Sequence, residues 1–241
     1  MDEFAIKKGH RDYATVIVDL ERVEIIDILE YRNQEKLIQY FQGKGTDGCG
    51  GIEVFCSDMW QGFLNTAKAV FPNATLVVDR FHFFGYLNKA LDNERKSVRR
   101  SFKGQEDFKR LKWALLKNAE DLTEDQKKKC ARAFLLAPQL KLLYEHKEKF
   151  RSIFNQRLSR KQGEVELNQW IEQAKKVKNK HLNDFLSLLN AWKDYVLNYF
   201  VHRFTTSAIE GINNTIKTVK RMGYGFRNFV NFKQRIMISF A

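Results

Sequence analysis

The stretch IEVFCSDMWQGFLNTAKAVFPNATLVVDRFH, residues 52–82, decides the fold class of this chain. Its two apolar runs, Ile52–Ser57 and Ala74–Asp79, are short and rich in β-branched or aromatic residues, which predicts strands. The segment between them, Gln61–Phe71, has the apolar spacing of a helix. A strand, a helix and a second strand in this order predict a right-handed crossover between two parallel strands.

Three further strands are predicted on the N-terminal side of this unit, at Met1–Ile6, Tyr13–Leu20 and Val23–Leu29. The links between them are short enough for hairpins, so these strands are expected to be antiparallel. A helix at Glu35–Phe41 then leads into the crossover. The five strands predict an α/β fold with one five-stranded mixed sheet flanked by helices.

The middle of the chain has a different pattern. From about residue 88 to residue 201 the sequence is rich in Lys, Glu, Leu and Ala and has apolar residues at helical spacing. We therefore predict a first part of the α/β core at residues 1–100, an all-helical insertion at 101–203 and the rest of the core at 204–241. Trp170 and Trp192 lie among apolar residues of the insertion, so a core position is favoured over stacking on bases.

Composition points to a polyanionic partner. The 241 residues carry 42 Lys and Arg against 29 Asp and Glu, a formal charge of +13 with a pI near 9.6. The apolar runs are far shorter than the roughly 20 residues that cross a bilayer. The N-terminus has no basic-then-apolar signal pattern, and the three cysteines form no C-x-x-C pair. We expect a cytoplasmic protein that binds nucleic acid.

Three aspartates lie at or near the ends of predicted strands. Asp2 lies in the first strand, Asp58 follows the fourth and Asp79 ends the fifth. Carboxylates that converge from separate elements are what a two-cation phosphoryl-transfer site requires. A strand-end aspartate taken alone more often caps a turn or a helix. The sequence leaves both readings open.

The C-terminal segment TSAIEGINNTIKTVKR, residues 206–221, predicts an amphipathic helix. Its apolar stripe consists of Ile209, Ile212, Ile216 and Val219. A polar stripe consists of Glu210, Asn214, Lys217 and Arg221. A helix packed by its isoleucines would direct Glu210 towards the aspartates, although a solvated face with an acid in the first turn fits equally well.

Three stretches together resemble the DDE-type transposases of bacterial insertion sequences, in particular the ISL-three group. They are MDEFAIKKGHRDYATVIVDLE, VFCSDMWQGFLNTAKAVFPNATLVVDRFHFFGYLNKALD and IEGINNTIKTVKRMGYGFRNFVNFKQRI. The resemblance covers essentially the whole chain. It implies an RNase H-like fold with a helical insertion, and cleavage and transfer of DNA strands.

The resemblance also implies the residues of the site. Asp2, Asp58 and Glu210 would be the catalytic carboxylates and would hold two Mg²⁺ or Mn²⁺ ions. Asp79 and His82, in DRFH, match a D-x-x-H signature that would support the site without binding the metals. The long interval between Asp58 and Glu210 would hold the insertion.

Asp19, in VIVDLE, is the rival for the first catalytic aspartate. In RNase H-like folds the first strand lies beside the fourth and the second strand lies farther out. This topology favours Asp2.

The implied partner is double-stranded DNA, both the element ends and the target, bound by a homo-oligomer at the bacterial nucleoid. The predicted phosphate contacts are Lys217, Lys220 and Arg221, with Arg227 as a weaker candidate.

Two departures from the family pattern stand out. Family members carry an N-terminal zinc-binding and helix-turn-helix region, whereas this sequence starts one residue before Asp2. We therefore expect a catalytic-domain fragment or a truncated remnant, whose own activity the sequence leaves open. In addition, Thr206-Ser207-Ala208 stands where an Asn-containing stretch is expected before Glu210.

Two other functions use the same features. An RNase H-like nuclease would cut with these acids but would not join strands. A non-catalytic DNA-binding remnant would keep the positive charge without a working metal site.

Overall fold

The computed structural model describes residues 1–6, 12–45, 49–102, 108, 110–204, 207–223, 226 and 228–240, and for residues 207–210 it describes only the helical backbone. The chain divides into two compact units. The first contains Met1–Phe81 and His202–Ala241, and the second contains His82–Val201.

The first unit contains the five strands that the sequence predicts, each slightly shorter than predicted. They are β1 Asp2–Ala5, β2 Tyr13–Asp19, β3 Glu24–Leu29, β4 Val54–Ser57 and β5 Thr75–Val78. The first three strands pair antiparallel in the order β1-β2-β3, and β4 pairs with β5 in parallel. The predicted strand directions are therefore confirmed.

The strands form two sheets, of three and two strands, and not the single five-stranded sheet expected from the sequence. One hydrogen bond joins β4 to the residue that precedes β1, because Met1 N donates to Cys56 O at 2.6 Å. Met1 precedes β1, so this bond is a single contact outside the residues of β1. The strands β1 and β4 themselves are not paired with each other.

Two helices pack on the strands of this unit. Helix α1 spans Gln34–Gln42 and begins at Asn33, whose side chain accepts a hydrogen bond from Lys36 N. Helix α2, Gln61–Val70, connects β4 to β5. Their buried faces form a core with the strands that includes Ile17, Leu29, Leu37, Phe41, Phe55, Phe63 and Phe71. The predicted order of strand, helix and parallel strand is confirmed.

The second unit consists of helices and the segments that connect them, with no strand among its described residues. Its helices are α3 Arg80–Ser101, which begins in the first unit, α4 Leu111–Leu116, α5 Glu124–Leu136, α6 Pro138–Asn155, α7 Arg160–Lys175 and α8 Lys180–Leu197. Capping boxes at Thr123 and Ser159 satisfy the first backbone N–H groups of α5 and α7. Trp170 and Trp192 are buried, which confirms their predicted core position.

The chain then returns to the first unit with α9, Ser207–Met222, and α10, Phe229–Ile238. Ile212 and Ile216 of α9 and Phe232 and Ile236 of α10 are buried in a second core together with side chains of β1, β2 and β3. The described part of the predicted isoleucine stripe is thus confirmed. In the part of the chain that the structure describes, no helix is both long and apolar enough to cross a membrane.

Candidate active site

The candidate site is built around the ends of β1, β4 and β5. The hydrogen bond from Met1 N to Cys56 O brings the start of β1, where Asp2 lies, close to the C-terminal part of β4, which Asp58 follows. On the other side of β4, Asp79 N donates to Ser57 O at 2.9 Å, which continues the β4–β5 register and places Asp79 opposite Asp58. The backbone therefore places Asp79 beside Asp58 and brings Asp2 towards the same end of β4.

Asp58 and Asp79 also accept hydrogen bonds from the backbone that leads into the next helix. Asp58 is 8% exposed, and its Oδ1 accepts a hydrogen bond of 3.0 Å from Trp60 N, just before α2. Asp79 is 3% exposed, and its Oδ1 accepts a hydrogen bond of 3.0 Å from Phe81 N in the first turn of α3. A carboxylate offers about four acceptor positions, so these bonds are compatible with a further ligand.

The buried thiol of Cys56 lies within the electrostatic influence of two of these aspartates. The pKa of Cys56 is raised to about 12, mainly by burial; the positive N-terminus lowers it, and the charges of Asp79 and Asp2 contribute to the rise. Cys56 lies on β4, between the other two strands that carry the aspartates. Asp2 and Asp79 therefore lie close enough to the middle strand to act on the same buried group.

Helix α9 is fixed along β1 by two polar contacts. Asn213 Nδ2 donates to Asp2 Oδ2 at 2.6 Å, and Lys220 Nζ donates to Ala5 O at 2.8 Å. Asn213 and Lys220 are about 10 Å apart along a helix, and Asp2 and Ala5 are about 10 Å apart along a strand. The matched spacing shows that α9 runs in the direction of β1.

These contacts come from positions that the predicted polar stripe did not include. Asn214, Lys217 and Arg221 are exposed, whereas Asn213 and Lys220 face β1. Burial lowers the pKa of the Lys220 ammonium. The sequence carried a signal for this face, because Asn213 and Lys220 are seven residues apart, which is about two helical turns.

Not every predicted site residue can be placed by its side chain. Glu210 lies in the helical backbone of α9, one turn before Asn213, and its side chain lies outside the described residues. Arg227 also lies outside them. His82 lies in α3 and belongs to the second unit.

Arg32 is a residue near the site that the sequence did not single out. Its guanidinium lies 4.6 Å from the centroid of the Tyr13 ring and 4.7 Å from that of Trp60, and it pairs with Glu3. Glu3 is the neighbour of Asp2 on β1, and the backbone N–H of Trp60 donates a hydrogen bond to Asp58 Oδ1. Arg32 therefore connects the backbone segments that carry both aspartates.

Asp19, the rival candidate, stabilises a turn. Its Oδ1 accepts hydrogen bonds from Glu21 N at 2.9 Å and Arg22 N at 3.1 Å between β2 and β3. Its strand β2 is bonded to β1 and β3.

The donor atoms at the strand ends suit a hard divalent cation, because carboxylate and amide oxygens are the ligands that Mg²⁺ prefers. Asp2 Oδ2 is held by Asn213, and Asn213 Oδ1 is a buried oxygen with no described hydrogen-bond partner. Among the described residues, which exclude the Glu210 side chain, no group of three or more His, Cys, Asp or Glu residues is arranged to hold a metal ion.

Comparison with known proteins identifies the family. The family model of ISL3 (ISL-three) DDE transposases, described as a transposase, matches residues 1–236. The chain belongs to this transposase family. It is 30% identical over 246 residues to the transposase for insertion sequence element IS1001 of Bordetella parapertussis, and this match covers all of the chain.

A second relative agrees with this assignment. The chain is 25% identical over 253 residues to the transposase for insertion sequence element IS1557 of Mycobacterium tuberculosis, and the match covers 95% of the chain. The family member described here spans 60% and 56% of the lengths of these two relatives. No solved structure matches the chain.

The helical unit of this family member exposes an aromatic residue that the sequence did not single out. Trp113 on α4 is 65% exposed, and the Lys112 ammonium lies 5.0 Å from the centroid of its ring. Exposed aromatic rings beside cations can stack on unpaired bases. The signal available in the sequence was the basic context of Trp113, in KRLKW.

Proposed function

We propose that this chain carries the catalytic domain of an insertion-sequence transposase, which cuts DNA strands at the element ends and transfers them to target DNA. The observation that carries the proposal is the bond between Met1 N and Cys56 O, because it brings the chain next to Asp2 close to the end of β4 that Asp58 follows. Membership of the DDE transposase family supports the same carboxylates. The proposed fold is RNase H-like, in which the three-stranded and the two-stranded sheet would be parts of one larger sheet.

Asp2, Asp58 and Glu210 are the proposed carboxylates, and Asp79 and His82 support them. Bound there, two Mg²⁺ or Mn²⁺ ions would activate the attacking hydroxyl and stabilise the leaving oxygen. The protein's part is to hold its oxygens in place, by the backbone N–H of Trp60 on Asp58 and the amide of Asn213 on Asp2. Glu210 lies one turn before Asn213 on the helix that contacts β1.

Double-stranded DNA is the proposed partner, in a homo-oligomeric complex at the bacterial nucleoid. The exposed side chains of Lys217 and Arg221 lie on the same helix as Glu210, so they are available to phosphates near the carboxylates. Lys220 and Arg227 complete the proposed contacts. Such contacts release counterions, so affinity should fall steeply as salt rises.

The test is the thermal unfolding of the 241-residue chain against Mn²⁺ and Mg²⁺, for the parent, Asp58→Asn and Glu210→Gln. At 100 times the dissociation constant a ligand stabilises a protein by about 2.7 kcal/mol, which corresponds to several degrees. We expect this stabilisation in the parent and its loss in both variants. Asp19→Asn, which removes an acid that stabilises a turn, is the matched control and should keep the metal response.

An identical response in all four proteins would overturn the catalytic proposal and leave a basic DNA-binding remnant. If the metal response is as expected, incubation with labelled element-end DNA distinguishes the reactions. Joined products support a transposase, whereas cut products without joining would assign a nuclease.

A further inference from the structure

Asn213 differs from the other polar residues of α9 in the two atoms of its amide group. Nδ2 donates a hydrogen bond of 2.6 Å to Asp2 Oδ2, across 211 residues of sequence. Oδ1 is buried and has no hydrogen-bond partner among the described residues. The amide N–H group is thus hydrogen-bonded, whereas the amide oxygen is not, among the residues that the structure describes.

An unpartnered buried carbonyl oxygen is costly. Leaving such an acceptor unsatisfied costs about 1–3 kcal/mol, so native proteins rarely keep one without a ligand, an ion or a bound water. Because both atoms belong to one amide group, the unpartnered oxygen lies next to the Asp2 carboxylate. A neutral hard oxygen beside a carboxylate is a suitable ligand for Mg²⁺ or Mn²⁺.

We infer that Asn213 is a further ligand residue of this site. Its N–H group holds Asp2 in one orientation, and its Oδ1 binds the divalent cation at Asp2, directly or through one water of the cation's hydration shell. This inference rests on the proposed function, because it requires a cation at Asp2.

The local structure supports a defined position for this amide. Asp2 Oδ1 accepts a hydrogen bond of 2.8 Å from Glu3 N, so both carboxylate oxygens of Asp2 are oriented by neighbours. Ile212 and Ile216, on either side of Asn213 along α9, are buried in the core. Lys220 fixes the same helix to Ala5 O two turns later. The helix therefore cannot rotate Asn213 away from β1 without exposing this core.

Two substitutions separate a ligand from a purely structural hydrogen bond. Asn213→Leu has a similar shape and loses both the donor and the oxygen. Asn213→Asp loses the donor and places a second charge beside Asp2, but keeps a hard oxygen. If Asn213 only orients Asp2, both variants should lose Mn²⁺ affinity to the same extent. If Asn213 is also a ligand, Asn213→Asp should keep Mn²⁺ binding.

The experiment measures Mn²⁺ affinity from the electron paramagnetic resonance signal of free Mn²⁺, together with unfolding temperatures in chelator and in saturating Mn²⁺. We expect Asn213→Leu to weaken Mn²⁺ binding tenfold to a hundredfold, the usual effect of losing a residue that orients or supplements a metal ligand. Asn213→Asp should unfold at a lower temperature than the parent in chelator, because of repulsion with Asp2. On addition of saturating Mn²⁺, the unfolding temperature of Asn213→Asp should rise by at least as much as that of the parent.

Asn214→Leu and Asn214→Asp are the matched controls, because Asn214 is the exposed neighbour on the same helix. Both should bind Mn²⁺ as the parent does. Parent-like binding in Asn213→Leu, or equal losses in Asn213→Leu and Asn213→Asp, would overturn the inference. Asp58→Asn, run in parallel, keeps the two proposals apart: if the parent binds Mn²⁺ no better than Asp58→Asn, the proposed function fails; if only the Asn213 results differ from expectation, the inference alone fails.

Discussion

Met1 N lies 2.6 Å from Cys56 O, and this hydrogen bond joins the residue that precedes β1 to a residue of β4. It brings the segments that carry Asp2 and Asp58 together, although 55 residues separate the bonded pair in sequence.

The ring of Trp60, two residues after Asp58, packs closely against Gly62 of α2. A Cβ atom at Gly62 would lie 2.2 Å from the ring of Trp60, so Gly62→Ala must displace that ring. We expect a loss of about 1–3 kcal/mol in the free energy of unfolding, which is typical of overpacking, measured by urea denaturation. Gly85→Ala is the control, because a Cβ there meets no described atom within 4 Å. That helical position should gain up to about 1 kcal/mol; equal effects at the two glycines would contradict the packing of Trp60.

Arg32 is predicted to be intolerant of lysine. Its planar guanidinium lies between the rings of Tyr13 and Trp60 while pairing with Glu3, and an ammonium group cannot reproduce both contacts. We expect Arg32→Lys to lose about 0.5–2 kcal/mol in the free energy of unfolding. Arg22→Lys is the control, since the Arg22 side chain is 76% exposed and should change stability by less than about 0.5 kcal/mol. An unchanged free energy of unfolding in Arg32→Lys would contradict a stabilising role for the guanidinium beside these rings.

Asp27 gives the first unit a predicted acid sensitivity. It accepts a hydrogen bond of 2.8 Å from Tyr40 and pairs with Lys233 of α10. Burial tends to raise the Asp27 pKa, but hydrogen bonds from Lys233, Tyr40 and the Ile28 N–H, with the Lys233 charge, lower it below its usual value. A lowered folded-state pKa stabilises the fold above the unfolded pKa of about 3.9, and this stabilisation is lost as the pH falls through the folded value.

The measurement is the free energy of unfolding from pH 7 down to pH 3. Asp27→Asn should be less stable than the parent at pH 7, and the difference should shrink below about pH 4. Glu24→Gln, at an exposed position of the same strand, removes the same charge and should follow the parent's profile. A constant difference between Asp27→Asn and the parent at every pH would show that the pair with Lys233 does not depend on the Asp27 charge.

The two tryptophans Trp113 and Trp170 should behave oppositely. Trp113 is 65% exposed, whereas Trp170 is 3% exposed and donates a hydrogen bond of 3.0 Å to His146 O. Trp170→Ala should lose about 3–5 kcal/mol of stability. Trp113→Ala should leave stability within about 0.5 kcal/mol and weaken binding to single-stranded DNA, because a stacked base contributes about 1–3 kcal/mol. Unchanged affinity for single-stranded DNA in Trp113→Ala would show that this ring does not stack on bases.

The sequence by itself determined the order and direction of the elements. Short β-branched runs and hairpin-length links predicted β1 to β5, and the spacing of Ile212 and Ile216 predicted the buried face of α9. These features depend on neighbours within a few residues, which periodicity records directly. The burial of Trp170 and Trp192 followed from the same local pattern.

Only the tertiary structure decided which polar residue of α9 contacts Asp2. Asn213 and Asn214 are adjacent in sequence and both lie on helical stripes with Glu210, so the spacing alone could not choose between them. The choice depends on how the helix is rotated over β1, which the packing of Ile212 and Ile216 and the Lys220 contact with Ala5 fix.

The division into two sheets was also beyond the sequence. Strand patterns predict which residues extend, but not whether two strands distant in sequence pair with each other, and β1 is not paired with β4. The stacking of Arg32 on Tyr13 and Trp60 likewise joins residues from three separate segments. Local propensity determined the elements of this protein, whereas long-range packing determined the register and rotation that bring its polar side chains together.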